Sequence, residues 1–71
     1  TPKEFKLFLL FAQNKNKVMT RETILDSVWG PEYIGDIRTV DTMVKQIRKK
    51  LGGRSQYIHS VYGTGYCFKE G

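Results

Sequence analysis

The sequence predicts an α+β fold in which three helices are followed by a C-terminal β-hairpin. Threonine caps mark the beginnings of the first two helices. Residues 37–51 place apolar side chains at spacings of three and four, which is the period of an amphipathic helix. Residues 57–68 contain two short apolar runs around a glycine-containing turn, as a hairpin requires. With 71 residues, the chain has the length of one small domain.

The first helix is expected to begin at once, because residues 1–4 form a capping box with proline at the first helical position. Seven of the eight residues 5–12 are apolar, so the helix is apolar almost all the way round. Such a helix must be covered on more than one side, and two helices and a hairpin cover only one. We therefore expect a domain that is N-terminally incomplete or that packs against a second copy.

The second helix is expected to begin after the N-cap residue Thr20 and to close at Trp29-Gly30. Residues 30–36 then have the composition of a loop, and Asp36 is placed to cap the third helix. Two helices joined by this loop form a helix-turn-helix.

The third helix, residues 37–51, has one apolar side and one basic side. Its apolar stripe consists of Ile37, Val40, Val44, Ile47 and Leu51. Its opposite side carries Arg38, Thr39, Thr42, Lys45, Gln46 and Lys49. Cations suit phosphates, while an amide and hydroxyls can read base edges. That side holds no carboxylate, since Asp41 lies at its margin. We interpret residues 37–51 as a recognition helix for the major groove of DNA.

The net charge of +5 is concentrated around this helix. Residues 36–54 carry six basic and two acidic side chains, whereas residues 1–35 carry five and four. A local basic excess is the electrostatic signature of a protein that binds a polyanion. A basic protein that lysines merely keep soluble is the alternative from charge alone, and the sorting of charge onto one helical face weakens it.

Several function classes lack support in the composition. Cys67 is the only cysteine, so no internal disulfide forms, and His59 is a lone histidine to which no second metal ligand or catalytic nucleophile is assigned. The acidic residues are scattered, and no glycine-rich phosphate loop follows a strand. No apolar run approaches the roughly 20 residues that span a bilayer. We expect a cytoplasmic protein that is not an enzyme and uses no metal or cofactor.

A helix-turn-helix followed by a hairpin is the plan of a winged helix, whose hairpin, the wing, reaches DNA beside the recognition helix. Five motifs carry a closer resemblance: Thr1-Pro-Lys-Glu-Phe5, Val28-Trp29-Gly30, Arg38-Thr39-Val40-Asp41, the helix end 47–52, and Val61-Tyr62-Gly63-Thr64-Gly65-Tyr66. Together they resemble the C-terminal effector domain of OmpR/PhoB-type response regulators over all 71 residues. The resemblance implies sequence-specific DNA binding, as a dimer, in a two-component phosphorelay. It also implies that the family's N-terminal sheet, which packs on the first helix, and its receiver domain are absent from this sequence.

The resemblance also implies roles for individual residues. Base-reading positions are Thr39, Asp41, Thr42 and Gln46, and backbone-contact positions are Arg38, Met43 and Lys45, with Lys49 beside them. The wing contributes Ser60, Tyr62, Thr64 and Tyr66 on the adjacent backbone or minor groove, and Trp29 offers its indole N–H to a phosphate. The loop Pro31, Glu32, Tyr33, Ile34 and Gly35 corresponds to a segment that touches RNA polymerase in some members. Tyr62 stands where arginine is common, and Gln46, where a basic residue is common, suits adenine better than guanine.

Some of these residues have simpler interpretations. Asp41 can pair with Lys45 or Arg48 at helical spacing instead of contacting a base. Trp29 can be a partly buried end of the second helix, and Tyr66 can serve hairpin packing. For the whole chain, two alternatives to a DNA-binding regulator remain. One is a winged helix used for protein association through the first helix, and the other is RNA binding, for which an exposed aromatic platform is missing.

Overall fold

The computed structural model describes residues 1–70 of the chain. Its elements are α1 (Pro2–Gln13), β1 (Val18–Thr20), α2 (Arg21–Val28), α3 (Arg38–Leu51), a 3₁₀ helix (Gly52–Tyr57), β2 (Ile58–Val61) and β3 (Gly65–Phe68). The three helices and the C-terminal hairpin confirm the predicted winged-helix fold. None of the helices within residues 1–70 has both the length and the apolar character needed to cross a membrane.

The capping residues named from the sequence begin α1 and α2. The Thr1 hydroxyl accepts from the Glu4 amide at 3.2 Å, and the Thr20 hydroxyl accepts from the Thr23 amide at 3.1 Å. Helix α3 begins at Arg38, one residue later than expected, and the Asp36 carboxylate accepts from the Arg38 amide at 2.9 Å. These side chains satisfy amides that have no partner within their own helix.

The sheet has three antiparallel strands in the order β1-β3-β2, so the hairpin is not alone. Strand β1 was not predicted from the sequence, which gave its last residue, Thr20, the role of N-cap of α2. The hairpin pairs from Ile58 with Phe68 to Val61 with Gly65 without a bulge. The 3₁₀ helix leads directly into β2, so Tyr57, which the sequence placed in the first apolar run of the hairpin, lies before the strand. The added strand fixes the root of the wing to the beginning of α2.

The core lies between the apolar stripe of α3, one side of α1, α2 and the sheet. Its fully buried side chains include Leu7, Phe11, Ile24, Val40 and Val44. Of the predicted apolar stripe, Val40, Val44 and Ile47 are buried, whereas Ile37 and Leu51 at its two ends are half-buried. This packing turns the opposite, basic side of α3 outward.

Part of α1 remains uncovered. Phe5 is 67 % exposed and Leu9 is 42 % exposed, while Phe8 lies at the edge of the core. Beside them a cleft of about 280 Å³ runs between α1 and the end of α3, with Phe5, Phe8 and Leu51 among its apolar walls. Isolated exposed apolar side chains are ordinary in soluble proteins, but a contiguous group is a candidate contact surface.

Candidate nucleic-acid interface

The outward side of α3 consists of the residues selected from the sequence. Arg38, Thr42, Lys45, Gln46 and Lys49 are exposed, and Thr39 is half-buried beside them. We call these six residues the open face of α3. Within residues 1–70, the side chains of Lys45, Gln46 and Lys49 form neither a hydrogen bond nor an ion pair. Their charges and hydrogen-bonding groups are therefore available to a ligand.

Arg38, at the beginning of α3, is exposed but already has a partner. Its guanidinium donates to the Asp36 carboxylate at 2.8 and 2.6 Å, and Asp36 also accepts from the Arg38 amide. The hydrogen bonds from Arg38 lower the pKa of Asp36, while the same contact raises the pKa of Arg38. A phosphate that binds Arg38 must therefore compete with this carboxylate.

Asp41 lies at the margin of the open face and faces the protein. Its Oδ1 accepts from Arg21 Nε at 2.9 Å and from the Tyr66 hydroxyl at 2.5 Å. The pairing with Lys45 or Arg48 that helical spacing allows is not the contact that forms within residues 1–70. Asp41 instead joins α3 to α2 and to β3.

Arg48 continues this contact toward the wing. Its guanidinium donates to the Ile58 carbonyl at 2.6 and 3.2 Å and to the Ser60 hydroxyl at 2.9 Å. Its Cζ also lies 5.6 Å from the centre of the Tyr66 ring, within the range of a cation–π contact. We call Arg21, Asp41, Arg48 and Tyr66 the inter-element cluster, because they connect α2, α3 and the sheet.

The protonation states of Tyr66 and Arg21 favour their hydrogen bonds to Asp41. Burial, followed by the hydrogen bond to Asp41, raises the pKa of Tyr66, so its hydroxyl keeps its proton at neutral pH. The hydrogen bond to Asp41 also raises the pKa of Arg21. Within this cluster, Tyr66 is a donor and Asp41 is an acceptor.

The other predicted contact residues differ in their exposure. Tyr62 at the wing tip is fully exposed, and Ser60 and Thr64 are exposed as well, whereas Tyr66 is 6 % exposed and belongs to the core. Met43 and Trp29 are half-buried against the core, which supports the simpler interpretation of Trp29 as the end of α2. Their assigned contacts with DNA stay predictions.

The loop between α2 and α3 is exposed throughout residues 31–36. The Tyr33 ring lies 6.1 Å from the Trp29 ring and packs over Gly35, where an added Cβ would meet the Tyr33 hydroxyl oxygen at 2.4 Å. Ile34 is 98 % exposed next to it. Pro31 and Glu32 are exposed as well, so the whole predicted polymerase-contact loop is accessible.

Sequence reasoning missed Arg21 altogether and named Arg48 only as a possible partner of Asp41. Arg48 follows Asp41 by seven residues, and at ~100° per residue the two lie within about 20° on the helix. In the structure Arg48 contacts β2 and the Tyr66 ring instead. No comparable signal exists for Arg21, because its contact with Asp41 depends on how α2 crosses α3.

The fold defines this chain as a winged-helix domain with an exposed basic helix. The family described as "Transcriptional regulatory protein, C terminal" matches residues 1–68, and the chain belongs to this family. The uncharacterized transcriptional regulatory protein YclJ of Bacillus subtilis is 45 % identical over 71 residues, which cover 99 % of this chain and 31 % of YclJ. The chain thus spans about a third of the length of such curated relatives.

Solved structures agree with this assignment. The DNA-binding domain of Bacillus subtilis CssR matches with a TM-score of 0.87 and 42 % identity, covering 94 % of this chain and 74 % of CssR's. The Klebsiella pneumoniae RstA DNA-binding domain, in complex with the RstA box, matches with a TM-score of 0.84 and 28 % identity, covering 97 % and 71 % of the two chains. Residues 1–70 hold no group of three or more His, Cys, Asp or Glu side chains placed to bind a metal.

Proposed function

We propose that this chain binds double-stranded DNA sequence-specifically, as the output domain of a two-component transcriptional response regulator. The observation that carries this proposal is the open face of α3, which is exposed, basic and free of carboxylates. The width of the major groove admits a helix, and the open face is the side of α3 that can enter it. Membership of a transcription regulator family supports the same conclusion.

In the proposed complex, phosphates are anchored by Arg38, Lys45 and Lys49. Lys45 and Lys49 lie one helical turn apart and have no protein partner within residues 1–70 to give up. Arg38 exchanges the Asp36 carboxylate for a phosphate, which has a similar geometry for its guanidinium. Contacts of this kind set the affinity and the register of the helix on the duplex, and they carry no sequence information.

Base discrimination falls to Thr39, Thr42 and Gln46, which flank these cations on the open face. The Gln46 amide offers one donor and one acceptor, which match adenine N7 and N6. Thr42 already donates its hydroxyl proton to the Arg38 carbonyl at 3.3 Å, so its methyl group and oxygen lone pairs face the groove. A thymine methyl and a base amino group are the matching partners.

The wing, with Ser60, Tyr62 and Thr64 exposed, lies on the adjacent backbone or minor groove. Ser60 accepts from Arg48 and keeps its own proton, which it can donate to a phosphate. The Tyr62 ring fits a sugar or groove wall, in place of the cation that an arginine supplies. Asp41, Met43, Trp29 and Tyr66 contribute through packing and orientation more than through exposed polar groups.

Further partners belong to this proposal. The exposed loop with Ile34 at its tip is a contact surface for RNA polymerase, and a receiver domain of the same protein and a second copy on DNA complete the regulator. The domain acts by binding, in the cytoplasm, and not as an enzyme. These partners and this location are proposed because the chain belongs to a family of transcription regulators.

Selection of binding sites from a pool of random duplexes tests the proposal. The chain is expected to enrich one shared sequence and to bind it tighter than a scrambled duplex of the same length and composition. Lys45→Gln/Lys49→Gln, which removes two cations from the open face, should weaken binding to all duplexes, whereas Lys3→Gln/Lys6→Gln on α1 should not. Equal affinity of the wild-type chain for all duplexes would contradict sequence-specific binding.

The exposed side of α1 favours one second candidate, a protein-association module. Phe5, Leu9 and the adjoining cleft form a contiguous apolar surface on the side of α1 that does not pack on the core. A contact there is compatible with DNA binding by α3. Phe5→Ser/Leu9→Ser should suppress self-association at high concentration in sedimentation experiments if this surface is used.

A further inference from the structure

The inter-element cluster is a continuous line of polar contacts behind the open face of α3. Arg21 in α2 donates to Asp41 in α3, and Tyr66 in β3 donates to the same Asp41 oxygen. The Tyr66 ring then lies against Arg48, which donates to a carbonyl and a hydroxyl of β2. The line therefore crosses from α2 through α3 to both strands of the wing.

The one proton that the Tyr66 hydroxyl can donate is used within the inter-element cluster. A tyrosine hydroxyl has one proton, and that of Tyr66 is donated to Asp41 over 2.5 Å. A phosphate oxygen only accepts hydrogen bonds. While the contact with Asp41 exists, the Tyr66 hydroxyl has no proton for a phosphate, and its burial keeps the ring away from the surface.

The carboxylate of Asp41 would be unfavourable near DNA if it were unpaired. It lies at the margin of a basic face that is turned toward phosphates in the proposed complex, where like charges repel. Arg21 neutralises it at 2.9 Å, and the Asp41 side chain is 36 % exposed. The Arg21–Asp41 ion pair therefore cancels the negative charge of Asp41 at the margin of the basic face, and the carboxylate is bonded to the protein.

We propose that Asp41 is a positioning residue and not a base-reading one. Together with Arg21 and Tyr66, it fixes the orientation of α3 relative to α2 and the wing, and thereby the register in which Thr42 and Gln46 meet base edges. This inference rests on the proposed DNA binding. It assigns Asp41 and Tyr66 a role in sequence discrimination without contact with DNA.

The two functions of the open face respond differently to a shift of α3. Base contacts are short and directional, so a small tilt weakens several of them together. The lysines reach phosphates through four-carbon stems that can adjust their position. Loss of the cluster is therefore expected to reduce sequence discrimination at several base pairs while nonspecific affinity stays constant.

Tyr66→Phe tests this inference because it removes only the hydroxyl that donates to Asp41. Affinity for the duplex selected by the wild-type chain should fall about tenfold, the equivalent of one hydrogen bond to a charged group. Affinity for a scrambled duplex and the salt dependence of binding should stay unchanged. Tyr57→Phe is the matched control, because the Tyr57 hydroxyl has no hydrogen bond in residues 1–70 and its ring packs edge-on against Phe68.

Asp41→Asn provides a second variant of the same size, in case loss of the tyrosine hydroxyl weakens folding. Circular dichroism melts set a temperature at which all variants are folded. In the double variant Asp41→Asn/Tyr66→Phe, the loss should be smaller than the product of the two single losses, because both changes break one contact.

Three outcomes would overturn the inference. Equal losses of affinity for the selected and scrambled duplexes on Tyr66→Phe would mean that the hydroxyl contacts a phosphate. If Tyr66→Phe leaves every affinity unchanged and Asp41→Asn changes the preference at only one base pair, Asp41 reads a base. If the wild-type chain itself distinguishes no duplexes, the proposed function fails as well, and that failure is visible before any variant is made.

Discussion

The polar side of α3 is divided into two regions that look alike in sequence and differ in their surroundings. On the open face, Lys45, Gln46 and Lys49 have no partner within residues 1–70. In the inter-element cluster, Asp41 and Arg48 are bonded to residues of α2 and of the sheet. The comparison teaches that charge on a helix indicates a ligand site only where the neighbouring elements leave that charge unpaired.

The two regions depend on each other. The open face can read a sequence only if α3 has a fixed direction, and the cluster supplies contacts that packing alone does not specify. The buried stripe of Val40, Val44 and Ile47 fixes which side of α3 faces outward. It does not fix the exact orientation of the helix, because hydrophobic contacts are not directional. The hydrogen bonds from Arg48 to the Ile58 carbonyl are directional, so they fix the position of α3 along the wing.

The largest expected effect comes from Gly65→Ala, which disturbs the pairing of β3, the strand that carries Tyr66 of the inter-element cluster. A Cβ at this position would lie 2.0 Å from the Met19 carbonyl oxygen and 2.9 Å from Thr20 Cα, so β1 and β3 would have to separate. We expect the free energy of unfolding to fall by ~3 kcal/mol, the upper end for overpacking. Urea denaturation measures this change.

Gly53→Ala is the control for that experiment. Its added Cβ meets nothing within 4 Å, and Gly53 is not among the glycines with positive φ. A change within about 0.5 kcal/mol is expected, as for surface substitutions. Equal stabilities of the Gly65→Ala chain and the Gly53→Ala chain would show that the close approach of β1 to β3 is not required.

Within the open face, Gln46→Ala and Lys45→Ala should separate reading from anchoring. Loss of the Gln46 amide is expected to relax preference at one base pair, at a cost of about 1–3 kcal/mol for that pair. Loss of the Lys45 ammonium should weaken binding to all duplexes alike, because phosphates carry no sequence. Titrations with single-base-pair variants of the selected duplex distinguish the two patterns. A Gln46→Ala chain that behaves as wild type on every duplex would remove Gln46 from the reading residues.

A smaller effect on affinity for DNA is expected from a substitution of Asp36, which pairs with the open-face residue Arg38. The N-cap residue of α3 is Ile37, which has no side-chain cap bond, and the amide oxygen introduced by Asp36→Asn can still accept from the Arg38 amide. The substitution frees the Arg38 guanidinium from its carboxylate partner. Affinity for DNA should rise about two- to fivefold, which corresponds to the strength of an exposed ion pair. Glu32→Gln, which removes one negative charge from the same loop without freeing an arginine, should give a smaller gain. Unchanged or reduced affinity of the Asp36→Asn chain would indicate that Arg38 does not contact phosphate.

The smallest effect concerns Lys50, which belongs to α3 but pairs with the buried Glu4 of α1. The hydrogen bond from Lys50 lowers the pKa of Glu4 below its ordinary value of 4.5. The pair therefore contributes stability above pH 4.5, and this contribution is lost as pH falls through the lowered pKa. Melting temperatures of the wild-type and Glu4→Gln chains should differ at pH 6 and converge toward pH 3. A constant difference across this range would contradict the assigned ion pair.

The sequence revealed what depends on local pattern. The capping residues Thr1 and Thr20 and the apolar period of α3 are local signals, and the helices they predict are present. Strand β1 has three residues, too few to show an alternation, and its last residue also caps α2. Such a strand forms because β3 offers it a partner, which is a nonlocal cause.

The same distinction separates the parts of the candidate interface. Exposure of Lys45 and Gln46 followed from the helical wheel, because the wheel also defines the buried side. The contacts of Asp41 with Arg21 and Tyr66 span 20 and 25 residues and depend on how three elements meet. Helical spacing suggested Lys45 or Arg48 as partners of Asp41, since only neighbours on the same helix are visible in a sequence.

The salt dependence of DNA binding tests the central claim most directly. If the open face and the wing neutralise about five to seven phosphates, a plot of log K against log salt concentration has a slope of roughly −4.5 to −6. Lys45→Ala should make the slope less steep by about 0.9, because one phosphate contact is lost. A slope near zero for the wild-type chain, or no change on removal of Lys45, would contradict DNA binding through this face of α3.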